Sequence, residues 1–164
     1  MIRTVKVSDA ADISRIYNHY ISETVVTFEI DPISAAEMAE RIADTLQQSL
    51  PWLVAEDETG SVIGYAYASK WKERSAYRHS VEVTVYLDRV VTAKGWGTKL
   101  YHALFSALSG LAIHVAIGGI SLPNQASIAL HEKFGMKKVA HFEAVGRKFE
   151  RWIDVGYWQV VLDA

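Results

Sequence analysis

No Asp, Glu, Lys or Arg occurs between Leu100 and Leu130. An uncharged run of that length belongs in an interior, and its punctuation decides which kind. Ser109-Gly110, Gly118-Gly119 and Pro123 cut it into pieces too short to span a bilayer as one helix, and His102, His114 and Asn124 lie within it. It therefore reads as a buried helix, a buried strand and a helix start. The first helix carries Leu100, Leu104, Leu108 and Leu111 in one stripe, the strand covers Ile113 to Ile120, and the second helix runs from Asn124 to Phe134.

The segment just before this run is as informative. Val81 to Leu87 alternates as a strand, with Val81, Val83, Val85 and Leu87 on one face and Glu82, Thr84 and Tyr86 on the other. A short loop follows, then Lys94-Gly95-Trp96-Gly97-Thr98-Lys99 and the long helix. A strand emptying through glycines into a helix N-terminus can hold a pyrophosphate, because backbone N–H groups and the helix dipole face the negative charge. Gly-x-Gly alone more often closes a turn; its position between strand and helix gives it weight.

Elsewhere, Ile2 to Val7 alternates as a strand, and Ser8 stands as an N-cap before Ile13, Ile16, Tyr17, Tyr20 and Ile21 at helical spacing. Ser34-Ala35-Ala36-Glu37 is a capping box opening a second helix with Met38, Ile42 and Leu46 on one face. Trp52 to Glu56 and Val62 to Ser69 read as strands joined by a turn at Asp57 to Gly60, and Lys137 to Glu143 and Trp152 to Leu162 complete a sheet. With 164 residues, half of them apolar, residues 1–164 make one α/β (α+β) domain with a sizeable core. A net charge of −2 with scattered Lys and Arg predicts no nucleic-acid partner. The absence of cysteine excludes disulfides, thiolate metal sites and a cysteinyl acyl-enzyme. It also fits a reducing compartment. The N-terminus interleaves Arg3, Lys6, Asp9 and Asp12 with apolar residues, unlike a signal peptide. The expectation is a cytoplasmic protein with no membrane partner and no metal.

The chain resembles the GNAT N-acetyltransferase superfamily, and within it the phosphinothricin and methionine sulfoximine/sulfone acetyltransferase group. The matching segments run in order through nearly the whole chain: Asn18-His19-Tyr20, Pro51 to Glu56, Trp71-Lys72, Val81 to Tyr86, Gly95-Trp96-Gly97, Pro123-Asn124, Leu130 to Met136 and Trp152 to Gln159. Thr92 departs from the Gln or Arg common at that position of the pyrophosphate loop, and Met136 from a common Phe. The resemblance implies a mixed sheet of six to seven strands, splayed at an acetyl-CoA site, with about four helices. It also implies acetyl-CoA as donor, a small amino-acid-like amine as acceptor, and a homodimer.

Acetyl transfer from a thioester to an amine requires that the amine lose a proton and the thiolate leave. Glu82 is the candidate base; the other reading is a rim glutamate paired with a nearby cation. His131 is the candidate proton donor to the sulfur, by resemblance to a tyrosine common there, or else a packed helix histidine. The resemblance implies that Val85, Tyr86, Leu87 and Asn124 line the pantetheine arm, although Asn124 is also a helix N-cap and Tyr86 reads equally as core. N–H groups of Ala93, Lys94, Gly95, Trp96, Gly97 and Thr98 would hold the pyrophosphate. Lys72, Glu73 and Arg74, with Glu82, Val83 and Thr84, match the family's acceptor-binding segments. Two basic clusters, Lys70 to Arg74 with Arg78-His79 and Arg147-Lys148 with Arg151, suit an acidic acceptor group but also solvated loops. Trp71 and Tyr77 could wall the pocket. Trp152, Tyr157 and Trp158 are candidates for a subunit interface or for core. The other enzyme reading is acetylation of ordinary amino acids or peptide N-termini, and the non-enzyme reading is a silent CoA-binding domain. A dinucleotide-binding fold is disfavoured, since the loop at Gly95 and Gly97 lacks the third glycine of the full Gly-x-Gly-x-x-Gly pattern and no N-terminal βαβ unit carries it.

Overall fold

The chain alternates strands and helices as β1 (Ile2–Thr4), α1 (Ala10–Glu23), α2 (Ala35–Gln47), β2 (Trp52–Glu56), β3 (Val62–Lys70), β4 (Ser80–Leu87), α3 (Trp96–Ser109), β5 (Val115–Ser121), α4 (Gln125–Lys133), β6 (Lys137–Lys148) and β7 (Arg151–Val161). This is a computed structural model that describes residues 1–91 and 95–162. All seven strands share one sheet in the order β1-β2-β3-β4-β5-β7-β6. Neighbours are antiparallel except β4 and β5, which run parallel.

Period-two alternation sorts the two faces. On one, α3 lays Leu100, Leu104 and Leu108 over Ala66, Ala68, Val81, Val83, Ala116 and Ile120. On the other, α1 and α2 lay Ile13, Ile16, Tyr17, Met38 and Ile42 over Trp52, Val54 and Tyr65. That second face is aromatic: Trp52 stacks on Tyr67 at 4.1 Å, and Tyr86 packs against Tyr17, Tyr20 and Tyr65. Tyr86, partly buried, thus packs against the core cluster as well as lining the cleft described below.

Several boundaries differ from the sequence reading, most by one or two residues as at β5, which starts at Val115 and not Ile113. The first strand stops at Thr4, because Val7–Asp9 forms a 3-10 turn in which the Asp9 carboxylate accepts the Lys6 N–H at 2.7 Å. Asp9, not Ser8, therefore precedes α1. Leu111 falls beyond the end of α3 and is exposed, whereas the Ser34–Glu37 capping box is in place. Finally, β6 runs on to Lys148, because Phe149 and Glu150 both take positive φ and turn directly into β7. Among the described residues, no helix is long and apolar enough to cross a membrane.

The functional consequence lies between β4 and β5. Their pairing lasts only for Ser80, Val81 and Glu82 against Val115, Ala116 and Ile117, and then the strands part.

Candidate active site

The parted strands present free backbone to one another. Asp88 donates its N–H to Ile63 C=O at 2.8 Å, and the β3–β4 register is unbroken, so Glu82, Thr84 and Tyr86 bond to β3 while Val83, Val85 and Leu87 turn toward β5. Leu122 donates to Asp154 C=O at 2.9 Å on the other side, which in the same way turns Gly119 and Ser121 toward β4. The hydroxyl of Tyr20 donates to Leu87 C=O at 2.5 Å and closes the far end. Between these limits opens a cleft of about 710 Å³ whose lining includes Val83, Val85, Gly119 and Ser121. An extended chain of amides such as a pantetheine arm can pair there as an added strand would.

Glu82 stands at the root of the split, on the aromatic face. A Cβ at Gly119 would lie 3.5 Å from Glu82 Oε1 and 3.0 Å from the Tyr157 ring, so the missing side chain keeps the carboxylate open to the gap. Among the described residues no cation lies within ion-pair distance of Glu82, which argues against the rim-pair reading. Burial raises its pKa above the ordinary carboxylate value.

His131 reaches the same gap from the aliphatic face. Its ring packs against the β5 backbone where only a glycine fits, since a Cβ at Gly118 would lie 2.5 Å from its Cδ2. The ring is 4% exposed. Nδ1 lies 2.7 Å from Ser127 C=O, which only accepts, so Nδ1 carries the hydrogen and Nε2 accepts from the Tyr101 hydroxyl at 2.9 Å. Burial lowers the imidazole pKa, and the ring is neutral at pH 7. Tyr101, fully buried and lining the cleft, went unassigned in the sequence. Its signal was a phenol inside an apolar helix, a group that needs a partner when buried.

At the end of β4, Gly95 takes the left-handed conformation (φ 70°) and opens α3. The first helical bond is Lys99 N–H to Gly95 C=O at 3.0 Å, so the N–H groups of Trp96, Gly97 and Thr98 have no partner within the helix. Gly97 sits between Leu130 and Leu87, which brings this N-terminus to the end of the gap. Thr92, Ala93 and Lys94 lie outside the described residues. Asn124 caps α4 through Oδ1, accepting the Ser127 N–H at 3.1 Å, and that bond does not use its amide nitrogen.

The acceptor-segment residues divide. Lys72, Glu82, Val83 and Thr84 line the cleft, together with Trp71, whereas Glu73, Arg74 and Tyr77 are not among its lining. Glu73 faces Lys70 at 3.8 Å on the surface. Of the C-terminal basic cluster, Lys148 is buried and Arg147 lies over Trp152 at 4.9 Å; neither lines the cleft. Trp158 is core, donating to Glu132 at 3.3 Å, while Tyr157 walls the cleft edge-on to Trp71. Phe28, Phe142 and Val145 also line it, and nothing in their sequence spacing pointed there.

Comparisons with known proteins give the family and the fold. Residues 2–156 match the acetyltransferase (GNAT) domain family. The phosphinothricin N-acetyltransferase of Streptomyces viridochromogenes is 39% identical over 96% of this chain and 85% of its own length. The L-methionine sulfoximine/L-methionine sulfone acetyltransferase of Pseudomonas aeruginosa is 33% identical over 99% of this chain and 94% of its own. A phosphinothricin acetyltransferase from Sinorhizobium meliloti, solved with AcCoA, superimposes with a TM-score of 0.96 at 36% identity, covering 99% of this chain and 88% of that one. With its split sheet, its glycine-led α3 and that match over most of its length, the chain belongs to the GNAT acetyltransferases.

Proposed function

We propose that this chain transfers the acetyl group of acetyl-CoA directly to the α-amino group of a small amino-acid analogue such as phosphinothricin, methionine sulfone or methionine sulfoximine. The observation that carries the reading is Glu82, a half-buried carboxylate with no cation in ion-pair distance among the described residues, at the root of a gap edged by free backbone. The names of the relatives supply the acceptor class. A cysteine-free chain has no thiol for an acyl-enzyme, in keeping with transfer between two bound substrates.

Acetyl-CoA supplies an activated thioester carbonyl. Val83 and Val85 pair with its arm, Tyr86, Leu87 and Asn124 flank it, and the N–H groups of Trp96, Gly97 and Thr98 face its pyrophosphate. Glu82 takes one proton from the acceptor's ammonium, freeing the lone pair that forms the new C–N bond; as the C–S bond breaks the nitrogen sheds its second proton, and the departing thiolate ends up holding it as the CoA thiol. His131, neutral with its hydrogen on Nδ1, has none on Nε2 to give, so the Tyr101 hydroxyl, which His131 Nε2 positions by accepting its hydrogen in the resting cleft, exchanges that bond for one to the departing sulfur. Among the described residues Lys72 is the Lys or Arg that lines the cleft, and it receives the acceptor's acid group.

Residues 1–164 act as one domain, in the cytoplasm, and pair as a homodimer through the β6–β7 edge. Trp152 is 65% exposed there, with Val139, Phe142, Val145 and Phe149 also exposed, and Phe142 and Val145 line the cleft as well. Sedimentation at micromolar concentration is expected to give a dimer, and a monomer would remove that part. The decisive test follows thiol release from acetyl-CoA across a panel of amines. Phosphinothricin and the methionine derivatives should turn over fastest; preference for ordinary amino acids or peptide N-termini would redirect the acceptor, and no turnover at all would leave a CoA-binding domain.

A further inference from the structure

The segment between α1 and α2, residues 24–34, has no regular structure, yet it is tied down along its length. The Tyr17 hydroxyl meets Thr27 Oγ1 at 2.7 Å and donates to the Glu29 carboxylate. Arg41 grips that carboxylate with two bonds of 2.8 and 2.6 Å, and the Asn18 amide bonds both the N–H and the C=O of Ile33 at 2.9 Å. These ties fasten the segment to α1 and α2, on the β3–β4 side of the split.

Two more come from across the split. Lys148, on edge strand β6, is 5% exposed, and its ammonium donates to Thr27 C=O at 2.8 Å and to Tyr20 C=O at 3.5 Å. Two residues earlier on the same strand, Gly146 lies under the Phe28 ring so closely that a Cβ there would overlap it. Val26, Thr27 and Phe28 line the cleft. Desolvating an ammonium is costly and lowers its pKa, and Glu29 acts in the opposite direction. A side chain that only filled space there would be better served by an apolar residue.

We propose that Lys148 is a positioning residue for the acceptor: with Gly146 it clasps residues 26–28 to β6 across the split, so that Phe28 walls the acceptor end of the cleft. The two halves of the sheet, parted at β4–β5, are thereby joined over the reaction centre by one buried ammonium. This rests on the acceptor reading above and says which part of the chain sizes that acceptor.

Two variants test it. Lys148→Met removes the charge and keeps the length; Gly146→Ala keeps the ammonium and displaces the Phe28 ring. Both should raise KM for the acceptor at least tenfold, leave KM for acetyl-CoA within twofold, and change the ranking of acceptors by side-chain bulk. Because the chain has no cysteine, Lys148→Cys alkylated with bromoethylamine during refolding restores an ammonium at that site alone, and should recover the acceptor KM. Hydrogen exchange gives a readout independent of turnover: in Lys148→Met the amides of residues 24–30 should exchange faster while those of α3 do not change. Unchanged exchange in 24–30, or equal shifts in both KM values, overturns the proposal. Failure of the acceptor reading would instead appear in the unsubstituted enzyme, as no turnover of any amino-acid analogue.

Discussion

The two faces of this sheet solve different problems with the same strands. Under α3 the strand residues are mostly aliphatic and buried, and the buried pair Tyr101 and His131 meets there in one hydrogen bond. Under α1 and α2 the face is built from Trp52, Tyr65, Tyr67 and Tyr86, with Tyr17 and Tyr20 descending onto it, and there Glu82 has no cation in ion-pair distance among the described residues. The first is an environment that tolerates one well-paired polar contact. The second keeps a carboxylate uncomfortable, and discomfort of that kind makes a base. Chemistry at the split should therefore depend much more on the aromatic face than on the aliphatic one.

The largest expected break is on the aromatic face. Glu82→Gln keeps the shape and removes the proton acceptor, so kcat/KM should fall by ~10²–10⁴. The loss should shrink as pH rises and more amine arrives neutral. The same substitution should raise the melting temperature at neutral pH. Burial holds the folded pKa of Glu82 above its unfolded value, so the fold loses stability as pH rises between the two, and a neutral Gln avoids that loss. Wild-type turnover together with an unchanged melting temperature would make Glu82 an ordinary surface glutamate.

Gly97→Val sharpens the comparison at the other end of the gap. Its added methyls would wedge between Leu130 and Leu87 and shift the start of α3. One lost charge-assisted bond is worth ~1.5–3 kcal/mol, so acetyl-CoA should bind about ten- to a hundredfold more weakly by calorimetry, with the acceptor KM little changed. Lys72→Ala should do the reverse, raising KM for an acidic acceptor about tenfold while sparing acetyl-CoA. Arg74→Ala, outside the cleft lining, should have a smaller effect, and the opposite ranking would return the acid group to Arg74.

The smallest effect belongs to the aliphatic face. Tyr101→Phe should lower kcat by less than about tenfold, because a thiol of pKa near ~8.5 leaves tolerably without a full proton transfer. A loss comparable to that of Glu82→Gln would mean that departure of sulfur, not deprotonation of the amine, limits the rate.

Much of this was legible before any coordinates. The charge-free run from Leu100, the capping box at Ser34 and the alternation of β4 fixed the helices, the central strands and the side of the sheet on which Glu82 stands, since each depends on local periodicity. The tail of the sheet was not, because the turn that extends β6 uses Phe149 and Glu150 at positive φ, with no Asn or Gly to announce it. Nor were the meanings of Gly118 and Gly119, which read as breakers, or of Gly146, which carried no reading; they act as clearances for a histidine, a tyrosine and a phenylalanine from distant segments. Lys148 was misplaced for the same reason. In sequence it is one more cation in a basic cluster, and only long-range packing reveals that it is buried under Thr27.

The short pairing of β4 with β5 acts as a ruler. Its zero is the last paired residue, Glu82, and its upper stop is Leu87, whose carbonyl is already taken by Tyr20. The distance between them is five strand steps of ~3.3 Å, or about 16 Å. On the proposed reading, a donor anchored by its phosphates at the start of α3 would be laid out along that fixed length, and backbone spacing would bring its acyl carbon beside the carboxylate. Side chains around the cleft can change which amine is accepted, but lengthening the acyl group would push it past the mark and into Glu82 and the aromatic wall.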